Sequence, residues 1–216
     1  MPTSVGILLT KTSTDVTMCF TIVSNMEFQM SNTVIQFPIS INPFKEHTQL
    51  KQQVLAAISR QENSEHMTAF NSDIIKCDWS TSRYDGDREW LKIINYPLAV
   101  HLRDWCNDMG YQTFGITEIW FQQYATGGKH AWHTHSNNFT NVYYVHLPEG
   151  SAQTEWIDPI TKDIHTFDVH EGDIITFPSW VIHRAPINNS VETKTIISWN
   201  MDVSVQDNDA AGIYGQ

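Results

Sequence analysis

From Gly110 onwards the chain is a succession of short β-rich runs with no helical periodicity between them. The runs fall at 115–125, 139–147, 152–157, 164–169, 173–177, 180–184 and 193–203. Turn signals at Pro148-Glu149-Gly150, Asp158-Pro159 and Glu171-Gly172-Asp173 separate them. Seven short strands without an intervening helix predict antiparallel layers, as in a sandwich or jelly roll.

The first half has a different texture. Ile7–Leu9, Met18–Val23 and Val34–Ile39 read as strands, with Pro38 suited to an edge or a strand end. Between His47 and Glu62, Leu50, Val54, Leu55 and Ile58 form a one-sided helical stripe. The polar stretch 63–87 is expected to be irregular, anchored at Cys77-Asp78-Trp79. A second helix is predicted with Pro97 at its first position and Gly110 just past its end. Residues 88–95 would form a separate turn before it. Helices placed ahead of such a strand series would cover one sheet and leave the barrel mouth open. The chain, 216 residues long and without repeats, is read as one domain. Its strands and supporting helices occupy 1–110, its β core 111–203 and a polar tail 204–216. Met26 is an alternative start position.

Charge bears on partners. A net charge of −11, from 13 Lys and Arg against 24 Asp and Glu, with no run of like charges, argues against nucleic acid. Cys19, Cys77 and Cys106 are an odd, scattered set that reads as reduced thiols. With no signal peptide and no apolar run of about 20 residues, the expectation is a cytoplasmic protein without membrane contact.

Chemistry concentrates in Tyr124–His135, where His130, His133 and His135 follow an apolar strand. His133 and His135, two apart, project from one face if extended. Two imidazoles so placed are half a site for a borderline transition metal, and a third ligand must come from elsewhere. His146, His165 and His170 suit the surface, whereas His183 lies inside the apolar run Phe177–His183. It is either a core residue or a ligand on a rigid wall. Lys194 opens the otherwise uncharged strand Lys194–Asn200, sharing a face with Ile196, Ser198 and Asn200. If that face points inwards, the ammonium needs an anion; if not, it snorkels to water. Trp132, Trp156 and Trp180 would wall a pocket or fill the core.

In order, the chain presents Tyr124-x-x-Gly127, His133-x-His135, Val142-Tyr143-Tyr144, Gly172-Asp173-Ile174-Ile175-Thr176-Phe177-Pro178, His183 and Lys194. This order resembles the catalytic core of the prolyl-hydroxylase-like Fe(II)/2-oxoglutarate-dependent dioxygenases, and within them the bacterial and phage group of 2-oxoglutarate oxygenases. The resemblance covers roughly 115–203 and implies a double-stranded β-helix of two antiparallel sheets, with helices packed on one. It implies Fe(II) held by His133 and His183, with 2-oxoglutarate and O2 as cosubstrates and ascorbate as an auxiliary reductant. Lys194 matches the basic residue that pairs with the distal carboxylate of 2-oxoglutarate. Tyr144 and Tyr124 match tyrosines of the cosubstrate pocket, and Ser198 and Asn200 fall beside Lys194. The activity implied is hydroxylation of a C–H bond, with 2-oxoglutarate converted to succinate, on a peptidyl, above all prolyl, substrate.

The departure is His135, which stands where the wider family has Asp or Glu. A bound Fe(II) would then keep its full +2 charge, which favours an anionic chelating ligand. A frame shifted by two, with His135 and Asn137 as ligands, breaks the spacing from Gly127. The other reading is a cupin-like three-histidine metal-binding protein: an isomerase, another dioxygenase or a non-catalytic module.

Overall fold

The computed structural model describes residues 37–205, apart from 63, 68–71 and 83–86. The strands expected at Ile7–Leu9 and Met18–Val23, Cys19 and most of the tail lie outside those residues. Among the described residues, eleven strands form two antiparallel sheets. The first-half strands are β1 (Ser40–Pro43), β2 (Glu65–Met67) and β3 (Ile74–Cys77). The core strands are β4 (Thr113–Tyr124), β5 (His130–His133), β6 (Phe139–His146), β7 (Glu155–Ile157), β8 (Ile164–Thr166), β9 (Asp173–Pro178), β10 (His183–Ala185) and β11 (Lys194–Ser204). The larger sheet has the order β1-β9-β6-β11-β4-β3-β2, and the smaller β5-β10-β7-β8. This is the two-sheet jelly roll, with α1 (His47–Arg60) and α2 (Glu89–Met109) packed on the larger sheet.

The central strands are apolar almost throughout because both their faces are covered. Ile119, Phe121, Tyr143, Val145, Ile197 and Trp199 pack outwards against the helices. Their alternate neighbours, among them Tyr124, Val142, Tyr144 and Ile196, face the smaller sheet in a second buried cluster. Two cores thus share one sheet, and the inner one carries the polar side chains of the site.

Several expectations are corrected. Pro97 does not open a helix: α2 is one 21-residue helix with Pro97 inside it. The proline forfeits its bond to the Ile93 carbonyl, yet Trp90, Leu91, Ile94, Leu98, Leu102 and Trp105 are buried along both halves. Burial of that stripe outweighs the local penalty. The helix ends as foreseen, with Gly110 at φ +77°. Phe37–Ile39 form no strand; the edge strand is β1, and its proline is Pro43. The stretch 63–87 contributes β2, β3 and a 3-10 turn at Trp79–Thr81, because pairing with Gln122 and Gln123 extends the sheet edge. His146 is half-buried, with Nδ1 2.8 Å from the Glu171 carboxylate.

Asp78 is the buried joint of this scaffold. Its carboxylate accepts from the Phe121 N–H at 2.9 Å, Trp90 Nε1 at 2.9 Å and Arg88 Nη1 at 3.2 Å. Burial pushes its pKa up, against the pull of these donors. Asp78→Ala would strand the buried Arg88 guanidinium, at a cost of about 3–5 kcal/mol. The expected result is a melting temperature lower by about 10 °C in a thermal unfolding scan; an unchanged value would show that the joint carries no stability.

Candidate metal centre

β5 and β10 are paired with His183 directly opposite His133. β5 ends at His133, so His135 is not on the strand that its spacing suggested. The chain bends beyond His133, and the His135 N–H, bonded to the Ser179 carbonyl at 2.9 Å, returns the residue to the site. One ligand atom from each of His133, His135 and His183 lies within 4.8 Å of the others.

Two of the three rings are oriented by the backbone. His133 Nδ1 lies 2.7 Å from the Ala131 carbonyl, and His183 Nδ1 lies 2.9 Å from the Val181 carbonyl. A carbonyl only accepts, so each Nδ1 carries the proton and each Nε2 keeps a lone pair for a metal. His135 makes no such bond among the described residues. Burial lowers the pKa of all three: His183, 4% exposed, lies well below the ordinary value, and His135 is drawn down to about 4. At neutral pH the site therefore offers three uncharged imidazoles, the form that binds a transition metal. The donor set fits a divalent cation.

His130, expected in an approach loop, is the first residue of β5. Its ring stacks on His133, with centroids 4.1 Å apart, and burial draws it down to about 3. It lines the cavity without belonging to the ligand cluster.

These imidazoles make the metal-free protein acid-sensitive. In the unfolded chain each titrates near 6.5, whereas in the folded protein burial delays protonation until lower pH. The unfolded state therefore binds more protons between these values, and stability falls as pH drops from about 6.5 towards 4. Denaturant midpoints of the metal-free protein should decline across that window; a flat profile would mean that the imidazoles are not desolvated.

A cavity of about 30 Å³ opens between the sheets and is lined by the three histidines, Trp120, Gln122, Tyr124 and Ser198, among others. Among the described residues, no Asp or Glu lines it. Lys194 sits just behind, opposite Tyr124 on β11 and 2% exposed. Its Nζ donates to the Ala152 carbonyl at 2.5 Å and stands 5.7 Å from the Tyr124 ring centre and 5.5 Å from that of Tyr144. No carboxylate pairs with it among the described residues, and burial pulls its pKa down to about 7. The Tyr144 hydroxyl is 2.7 Å from Thr154 Oγ1, and Thr154 lines the cavity. Asn200 does not line it; its amide donates to the Glu118 carboxylate at 2.8 Å. Trp132, Trp156 and Trp180 are absent from the lining as well: Trp132 lies beneath the Arg184 guanidinium, Trp156 packs partly buried against the inner core, and Trp180 is exposed. Gln122 and Thr154 escaped the reading of the sequence, although Gln122 stands two residues before Tyr124 and strand parity puts it on the same face.

Among solved structures, the chain is similar to an oxidoreductase of the 2OG-Fe(II) oxygenase family from Burkholderia pseudomallei. Identity is 14% and the TM-score 0.63, over 76% of this chain and 84% of that one. The chain has the fold of the 2-oxoglutarate/Fe(II) oxygenases. A Pseudomonas putida prolyl-4-hydroxylase matches at 16% identity and a TM-score of 0.54, over 79% of this chain and 94% of that one. A Trichoplax adhaerens prolyl hydroxylase, solved with a hypoxia inducible factor peptide fragment, matches at 19% identity and a TM-score of 0.55, over 76% and 83%. No protein-family model and no curated protein matches the sequence. Among the described residues, no helix is long and apolar enough to cross a membrane. At such low identity the shared property is the backbone, and activity has to be argued from the side chains.

Proposed function

We propose that the protein is an Fe(II)- and 2-oxoglutarate-dependent dioxygenase whose metal is held by His133, His135 and His183. The observation that carries this reading is the convergence of three neutral imidazoles inside this fold, next to a buried ammonium that meets no anion among the described residues. Bound Fe(II) with 2-oxoglutarate and O2 supplies oxidative decarboxylation to succinate and CO2, coupled to hydroxylation of a C–H bond. The chain's own part is to bind, orient and exclude water. His133 and His183 hold their Nε2 lone pairs in place through their backbone bonds. Lys194, with Tyr124 and Tyr144 beside it, forms an electropositive end for the distal carboxylate. Ser198 lies on the cavity wall between that end and the metal. A peptidyl, prolyl substrate follows by analogy with the prolyl hydroxylases of the same fold.

One observation favours a three-histidine metal module that takes no oxo acid: Lys194 already rests on the Ala152 carbonyl and does not line the cavity. Anaerobic titration of the Fe(II)-loaded protein with 2-oxoglutarate separates the two readings. A weak visible charge-transfer band that saturates with one equivalent, followed by succinate formation in air, is the expected result. No band and no succinate would sink the dioxygenase reading and leave the metal module.

A further inference from the structure

The face of the larger sheet that turns to the metal centre is polarised along its strands. Lys194 stands opposite Tyr124, Ser198 opposite Trp120 and Asn200 opposite Glu118, all on one face by alternation. Trp120, Ser198 and Thr140 line the metal-centre cavity, and Thr140 is the β6 partner of Asn200. Glu118 is therefore one step of the pleat beyond the metal centre, on the side away from Lys194. Among the described residues, Lys194 is the only Lys or Arg on this face of β4, β6 and β11. Roughly 20 Å of strand separates it from Asn200. The carboxylates, Glu118 and Asp202, lie at the far end.

The two carboxylates are not equivalent. Asp202 is engaged within the protein, its oxygens accepting from Asn137 Nδ2 at 3.1 Å and the Asn138 N–H at 3.0 Å. Glu118 is half-buried, and its Oε2 accepts from Asn200 Nδ2 at 2.8 Å. Asn200 is itself buried, so this bond fixes the direction of the carboxylate. Glu118 Oε1 meets no donor among the described residues, and neither does the buried Asn200 Oδ1. Two indoles stand next along the face. The Trp120 ring is 6.0 Å from that of His135, and Trp79, 37% exposed, packs edge-on against Trp120 at 4.5 Å. A carboxylate oxygen without a donor beside aromatic rings is chemistry for a cation. The net charge of −11 attracts cations to the whole molecule as well.

Resting on the dioxygenase reading, we propose that Glu118 is a specificity-determining residue for the primary substrate, which presents a guanidinium or ammonium group: an arginyl or lysyl side chain beside the residue to be oxidised. The anionic cosubstrate at the Lys194 end and the cationic substrate at the Glu118 end then occupy opposite poles of one site, and each is repelled from the other's place.

The test reads binding without turnover. Immobilised Zn(II)-loaded protein, saturated with 2-oxoglutarate, is offered a library of capped peptides with a central proline and randomised flanking positions, and the bound fraction is identified by mass spectrometry. Lys and Arg should be enriched by about fivefold or more over Gln and Leu. Glu118→Gln, which keeps an acceptor for Asn200, should lose that enrichment, with zinc stoichiometry and 2-oxoglutarate affinity unchanged. No preference for Lys and Arg, or a preference that survives Glu118→Gln, would overturn the role of Glu118 while leaving the dioxygenase reading intact. Failure of the wild-type protein to bind 2-oxoglutarate in a calorimetric titration would instead overturn that reading. Should Glu118→Gln fail to fold, Glu118→Asp keeps the charge but withdraws it by one methylene. A several-fold smaller enrichment is then expected, and an unchanged one counts against the proposal.

Discussion

His183→Ala is expected to abolish metal binding. In the proposed site the residue supplies one of three donors; it is almost wholly buried, and its ring is set by the Val181 carbonyl. Loss of an outer-shell partner alone typically costs ten- to hundredfold in metal affinity, so loss of the donor itself should exceed about a hundredfold. Metal content after dialysis, measured by elemental analysis, should fall from about one equivalent to near zero. The variant's metal-free melting temperature reports separately on the void left beside Phe177, whose ring lies 4.8 Å from that of His183. Full metal retention would mean that His183 is not a ligand.

Lys194→Met should lose the cosubstrate and gain stability. A buried ammonium without an anion is a cost to the ligand-free fold, as its depressed pKa of about 7 reflects. Methionine fills similar space without charge, so the metal-free variant should melt at higher temperature. The same replacement removes the ammonium proposed to meet the distal carboxylate, and 2-oxoglutarate affinity should fall by about a hundredfold or more, with metal content unchanged. The pH profile gives a second signature. A bound anion raises the lysine's pKa, so binding favours the protonated form. Wild-type affinity should be level below about 7 and weaken by up to about tenfold per pH unit above it. The Met variant should show no such slope. Loss of metal in Lys194→Met would make the lysine's role structural.

The gap between sequence and structure has identifiable causes. The jelly roll was legible because turn residues punctuate strands that alternate between two buried layers, and that pattern is local. Pro97 misled because a proline's local penalty is fixed, whereas the apolar stripe it interrupts gains its stability from the distant β4, β6 and β11. β3 was hidden because it is held by Gln122 and Gln123 of another strand and by Asp78, not by its own propensity. Asn200 shares the parity of Lys194, yet β11 changes register between Asn200 and Met201 and Glu118 engages its amide.

By itself the sequence determined the β-sheet class and the order and spacing of the candidate ligands. These follow from spacing along the chain, and covalent connectivity preserves spacing in any fold. Tertiary structure alone decided which groups meet and how each is charged. The pairing of His133 with His183, the return of His135 by a bend, the neutrality of the imidazoles and the burial of Lys194 and Gln122 all depend on two sheets closing over one another. Desolvation and proximity between distant segments belong to the packed molecule, not to the residues.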